Sequence, residues 1–163
     1  MRKMMAMQAG PKADSMIEAF RKAHPQATPS DVVIGLSTYS MMRAPSITLA
    51  ERKAAQNAAP VYMYLFTYET DVFGGKLKSP HGLEIPFVFD NVDTVQMAGS
   101  KPDKIALAKQ MSGAWAAFAH TGKPDFGGVA WKPYTAQHRA TMIFDTKTQL
   151  VDDPEQAERL ALR

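Results

Sequence analysis

Apolar residues recur at two different periods along this chain, and the change of period divides it. Over residues 13–24, Met16, Ile17, Ala19, Phe20 and Ala23 fall at three- and four-residue spacings, the pattern of a helix with one buried face. Pro25 ends that helix, because proline has no amide to donate and biases His24 toward extended backbone. A second start follows at Thr28-Pro29-Ser30-Asp31, where Ser30 or Asp31 can cap free amides and Val32, Val33 and Leu36 supply an apolar face. A third helix is predicted from near Pro45-Ser46 to around Asn57, carrying Ile47, Leu49, Ala50, Ala54 and Ala55.

From Pro60 the period shortens. Val61, Tyr62, Tyr64, Phe66, Thr67 and Tyr68 are β-branched and aromatic types, so residues 60–68 read as a strand. Near-continuous apolarity predicts burial on both of its faces, as inside a parallel or mixed sheet. A loop through Asp71, Gly74-Gly75 and Ser79-Pro80 then delivers His81. Residues 84–89 fit either a short strand or one helical turn. Residues 103–120 form a strong helix whose face includes Ile105, Leu107, Ala108, Met111, Trp115, Phe118 and Ala119, and Thr121-Gly122-Lys123-Pro124 stops it. Residues 140–145 read as a second strand, 149–151 as its partner, and 155–162 as a short closing helix.

Helices, a buried strand, a histidine loop, a long helix and a further strand indicate an α/β fold. Two or three strands make a narrow, incomplete sheet whose edge would ordinarily pair with more strands. Residues 1–12 are a methionine-rich, loosely ordered lead-in without a period, and residues 13–163 are the organised segment.

Composition narrows the function classes. The 163 residues suffice for one domain with a core, and 45% hydrophobic content with a net charge of +3 excludes a disordered chain. Basic residues are scattered without interleaved aromatics, so nucleic acid is not an expected partner. The absence of cysteine excludes disulfides and thiolate chemistry. Met1-Arg2-Lys3 imitates the charged start of a signal peptide, but the apolar part breaks at Gln8 and Gly10-Pro11. Together with the lack of cysteine this favours the cytoplasm. No membrane span is expected, since every apolar run falls short of the about 20 residues a span needs.

The candidate catalytic residue is His81. An imidazole titrates near neutral pH, so it can take a proton from a hydroxyl and return it to a leaving group. Gly82 lets the backbone turn closely beside the ring. Ser37 lies in Gly35-Leu36-Ser37-Thr38-Tyr39, which has the first glycine of a Gly-x-Ser-x-Gly elbow but Tyr39 in place of the second, and it reads as an ordinary helix serine. Glu84, Asp71 and Asp90 are nearby carboxylates, and Glu84 reads as a helix-start or surface group. Phe73, Phe87 and Phe89 read as core or as pocket lining. His24, His81, His120 and His138 are widely separated and no His-Glu-x-x-His occurs, so no metal and no cofactor is expected.

The segment Pro80-His81-Gly82-Leu83-Glu84-Ile85-Pro86-Phe87-Val88-Phe89 resembles the catalytic-histidine segment of type B carboxylesterases, the esterase and cholinesterase branch of the α/β-hydrolases. Arg43-Ala44-Pro45-Ser46-Ile47-Thr48-Leu49-Ala50-Glu51 is similar to a helix of that family. Ala59-Pro60-Val61-Tyr62-Met63-Tyr64-Leu65-Phe66 is similar to its strand ahead of the histidine. Ala114-Trp115-Ala116-Ala117-Phe118-Ala119-His120-Thr121-Gly122-Lys123-Pro124 is similar to its late helix and stop, and Trp131-Lys132-Pro133-Tyr134 with Arg139-Ala140-Thr141-Met142-Ile143-Phe144-Asp145 to its closing strand region. These pieces keep the family's order over residues 13–155.

The resemblance implies the C-terminal part of an α/β-hydrolase fold, with few strands flanked by helices. It implies His81 as general base of a Ser-His-Glu triad. The nucleophile, acid and oxyanion hole would then lie outside this chain, which argues against Glu84 as the acid. The implied substrate of the complete enzyme is a small carboxylic ester, and the implied partner is an N-terminal hydrolase fragment. The alternative is a catalytically inactive truncated hydrolase that serves as an interaction or complementation module.

Overall fold

The computed structural model describes residues 13–161, which form two compact units: residues up to Ala58 together with those from Asp153 onward, and Ala59–Asp152. The expected lead-in over residues 1–12 and the expected helix end at Leu162 lie outside the described residues.

In the first unit, α1 (Ala13–Ala23) and α2 (Pro29–Thr38) enclose a small core of Met16, Ile17, Val32 and Leu36. The cap of α2 is Thr28, not Ser30 or Asp31 alone. Its hydroxyl accepts the Asp31 N–H at 3.2 Å, and the Asp31 carboxylate accepts the Thr28 N–H at 2.9 Å. Pro29 fixes this register, because a missing amide costs nothing at the first helical position. The third predicted helix is not separated from the second. The backbone stays helical through a π turn, Tyr39–Arg43, into α3 (Ala44–Ala55). Pro45 cannot donate to the carbonyl of Met41, and the wide turn, closed by Ala44 N–H to Tyr39 O, accommodates the lost bond. The closing helix, Gln156–Ala161, packs on α1 within this unit, with His24 Nε2 2.9 Å from Glu158 Oε1.

The second unit is built on a three-stranded sheet in the order β1 (Met63–Phe66), β2 (Ala140–Phe144), β3 (Gln149–Asp152). β1 and β2 run parallel with Met63 opposite Thr141, and β2 and β3 antiparallel with Ala140 opposite Asp152. A parallel pair needs a long crossover. Here it contains α4 (Ile85–Val88), which settles residues 84–89 as one helical turn, and α5 (Asp103–Thr121). α5 buries Leu107, Ala108, Met111 and Ala114 in a core that also holds Tyr68, Phe87, Met142 and Phe144. Gly122, at φ 73°, ends α5 in the left-handed conformation that favours glycine.

This is the few-stranded α/β arrangement expected, with an open sheet. β1 itself departs from expectation in length and burial. Only four residues form the strand; before it Val61 O accepts the Tyr134 N–H at 2.7 Å, and after it Tyr68 is buried with its hydroxyl donating to Ala98 O at 3.2 Å. Burial on both sides is reached instead by β2, where Thr141 on one face and Met142 and Phe144 on the other are all buried, while Tyr64 of β1 stays 36% exposed. Within the described residues no strand flanks β1 on the side away from β2.

Candidate functional site

The path from β1 to His81 is fixed at each step by the backbone and by short polar side chains. Thr67 N–H continues the ladder to Phe144 O at 2.9 Å, and the Thr67 hydroxyl donates to Asp145 Oδ2 at 2.7 Å. Tyr68 then turns into the core. The following loop closes on itself where Thr70 N–H donates to Lys78 O at 3.0 Å. Its tip is a 3₁₀ turn, Val72–Gly75, in which Phe73, Gly74 and Gly75 all have positive φ.

The base of this loop is clasped to the segment before α5. Asp71 Oδ1 accepts the Ser100 N–H at 2.8 Å and Asp71 Oδ2 accepts the Ser100 hydroxyl. Those two hydrogen bonds, the hydroxyl first, hold the Asp71 carboxyl below its ordinary pKa. Gly99 leaves the necessary room, since a Cβ there would stand 2.1 Å from Asp71 Oδ1. Lys101 Nζ donates to Glu69 O at 2.7 Å and lies 5.5 Å from the centre of the Tyr68 ring.

His81 occupies the second position of the turn Pro80–Leu83, closed by Leu83 N–H to Pro80 O at 3.1 Å. Gly82, third in the turn, has φ 80°, the value a type II turn requires at that place and a side chain resists. Leu83 and Phe87 are buried, and Phe87 meets the rings of Tyr68 at 5.0 Å and Phe66 at 5.1 Å. The turn is thus pinned by apolar residues on its C-terminal side, while the His81 ring is left exposed. An exposed imidazole on a fixed turn is available to groups that approach it.

Several of the other candidates are engaged in structural contacts. Glu84 is half-buried, and its carbonyl accepts the Phe87 and Val88 N–H groups, both at 3.0 Å. Its charge also raises the Tyr64 phenol, second to burial. Asp71 belongs to the clasp, and Asp90 pairs with Lys109 at 3.6 Å. Ser37 lies inside α2. Phe87 is core, whereas Phe73 and Phe89 are 71% and 73% exposed. His24 pairs with Glu158, and His138 Nδ1 lies 3.4 Å from Asp152. His120 is exposed at the end of α5. No cluster of three metal-ligating side chains occurs among the described residues, and no helix there is long and apolar enough to cross a membrane.

The clasp is not legible in the sequence. Gly99-Ser100 is the only local sign of it, and neither residue belongs to a periodic element.

A profile of the Carboxylesterase family matches residues 8–163. The para-nitrobenzyl esterase of Bacillus subtilis (strain 168) is 35% identical over 118 residues, which are 70% of this chain and 24% of that protein. The acetylcholinesterase of Gallus gallus is 33% identical over 95 residues, 56% of this chain and 12% of that protein. The crystal structure of the Geobacillus stearothermophilus carboxylesterase EST55 at pH 6.2 superposes with a TM-score of 0.82 at 34% identity, over 99% of this chain and 34% of that one. The chain therefore spans a quarter or less of the length of these two curated relatives and about a third of the solved enzyme.

Proposed function

The chain belongs to the Carboxylesterase family and carries part of an α/β-hydrolase fold, and on that premise we propose that residues 13–163 are the C-terminal segment of a carboxylesterase-like domain in which His81 is the general base. In the complete enzyme His81 takes the proton of a serine hydroxyl as the serine oxygen attacks the ester carbonyl. The tetrahedral adduct then breaks its bond to the alcohol oxygen, and the imidazolium returns the proton to that oxygen. Next the neutral ring deprotonates a water, whose oxygen attacks the acyl carbon. The serine leaves with the proton, and a carboxylic acid is released. A glutamate orients the imidazole and backbone amides hold the oxyanion.

Those partners are assigned outside this chain, whose sequence has no Gly-x-Ser-x-Gly. The observation that carries the reading is the His81 turn itself: an exposed imidazole between a closed loop and a buried Leu83, with Gly82 at φ 80°. Phe73 and Phe89, both exposed, would supply apolar wall beside an acyl or alcohol group.

The chain on its own is expected to hydrolyse a p-nitrophenyl ester no faster than buffer. Turnover by the isolated chain that disappears in His81→Ala would show that the nucleophile is within it and would overturn this assignment. A second reading, an inactive module that engages a partner through the open side of β1, draws on the sheet order. It predicts a folded complex with no ester turnover.

A further inference from the structure

We infer that Asp71 and Ser100 are a positioning pair for His81: their clasp fixes where the imidazole stands, and through it the rate of the chemical step. The effect on rate rests on the proposed role of His81, whereas the effect on its placement does not.

The path from the clasp to the imidazole is short and closed at every step. Asp71 O accepts the Gly75 N–H at 3.2 Å, Gly75 O accepts the Lys78 N–H at 3.2 Å, and Lys78 O accepts the Thr70 N–H at 3.0 Å. The hydroxyl of Thr70, a buried residue, takes the Val72 N–H at 3.2 Å. Residues 70–78 are therefore a hydrogen-bonded ring, and Lys78 Nζ, 3.3 Å from Glu69 Oε2, spans its mouth. Only Ser79 and Pro80 separate this ring from His81. Pro80 has a fixed φ and biases Ser79 toward extended backbone, so the link passes a shift of the ring on to the histidine.

The turn is thus held from both sides. On its C-terminal side Leu83 is buried and Phe87 packs on Tyr68 and Phe66. On its N-terminal side three contacts tie the loop to residues 98–101. The Tyr68 hydroxyl donates to Ala98 O at 3.2 Å and Lys101 Nζ to Glu69 O at 2.7 Å, both ahead of the ring. Of the three, only Asp71 with Ser100 grips the ring itself. It does so through both carboxylate oxygens, which sets orientation as well as distance. Gly99 shows how close the approach is: a Cβ there would stand 2.1 Å from Asp71 Oδ1 and 2.9 Å from Thr70 Oγ1. His81 is exposed, so little packing of its own ring can compensate if the backbone moves. A misplacement of about 1 Å at a reacting group can cost about 100-fold in rate.

The first test is NMR relaxation on the full chain. The His81 and Gly82 amides are expected to have order parameters of about 0.8 or more, falling below about 0.6 in Asp71→Ala, with Leu83 unchanged. Ser100→Ala keeps the amide donor and should give a smaller fall in the same direction. If Asp71→Ala does not fold, Ser100→Ala decides by the same criterion. The second test is kcat on a p-nitrophenyl ester in a covalent chimera, with residues 13–161 in place of the superposed segment of the Geobacillus stearothermophilus carboxylesterase EST55. There Asp71→Ala should lower kcat by about 10- to 100-fold with KM within about twofold. Asp71→Asn, which keeps an acceptor for the Ser100 N–H, should return kcat to within about fivefold of the parent chimera.

A clasp that only stabilises the fold would lower the melting temperature and leave kcat of the folded chimera unchanged, which overturns the inference. Loss of kcat with His81 as ordered as before overturns it too. Should the chimera keep its turnover after His81→Ala, the general-base reading fails and the order parameters alone decide the clasp. Should His81→Ala abolish turnover while Asp71→Ala changes neither order nor kcat, the reading stands and the positioning pair falls.

Discussion

Asp71 and Ser100 are 29 residues apart in sequence and are joined by two hydrogen bonds, with Asp71 Oδ1 accepting the Ser100 N–H at 2.8 Å and Oδ2 accepting its hydroxyl. The pair closes the base of the loop that leads from β1 to His81, and it does so beside Gly99, where a Cβ would lie 2.1 Å from the same carboxylate. Three residues that belong to no helix or strand thereby set where the histidine loop starts.

Gly99→Ala should cost stability in two ways, by the clash with Asp71 and by the strain of a side chain at φ 78°. Only the clash depends on Asp71. In an Asp71→Gly background the penalty of Gly99→Ala should fall, giving a coupling of about 0.5–3 kcal/mol in a double-mutant cycle from urea unfolding. Strict additivity would mean that the two residues do not share a site.

Acid should open the clasp late. The folded-state pKa of Asp71 is lowered, chiefly by the Ser100 hydroxyl and then by the Ser100 amide. A lowered pKa contributes stability above the ordinary carboxylate value, and the contribution is lost as pH falls through the depressed one. Protection of the Ser100 amide, taken relative to its intrinsic exchange at the same pH, should therefore hold at pH 5 and fall only below about 3.9, the ordinary aspartate value. Asp71→Asn should show no such step. A midpoint at or above 3.9 would contradict the assigned geometry.

Gly82→Ala tests the turn that carries His81. A Cβ there would meet Ile85 Cδ1 at 3.7 Å, an ordinary contact, so crowding is not the obstacle. The φ of 80° is, and it should cost about 1–2 kcal/mol. Chemical denaturation of Gly82→Ala against the parent chain measures this. A change within a few tenths of a kcal/mol would mean that the turn relaxes freely and does not hold the imidazole.

Much of this was legible in the sequence wherever a period was sustained. The three- and four-residue spacing of α1 and α5, the proline and glycine stops, and the β2–β3 pairing all follow from local patterns that burial then reinforces. The length and exposure of β1 were not legible, because strand composition records the environment a strand is suited to. It does not record which neighbours one chain supplies. The continuity of α2 into α3 was hidden for a related reason: Pro45 reads as a start signal, and a π turn that accommodates it leaves no pattern of its own. His81 was singled out by its segment alone, and the structure shows it on an exposed turn with Gly82 at φ 80°. The clasp that seats the loop joins residues too distant in sequence for any period to connect.

The central claim, that His81 is the base of an ester hydrolase, is tested most directly in a covalent chimera. The segment of the Geobacillus stearothermophilus carboxylesterase EST55 that superposes on 99% of this chain is replaced by residues 13–161, and kcat/KM is measured on a p-nitrophenyl ester. The chimera should turn over, and His81→Ala within it should lower kcat/KM by at least about 10³-fold with the fold retained. A chimera whose activity survives His81→Ala within a few fold would contradict the account.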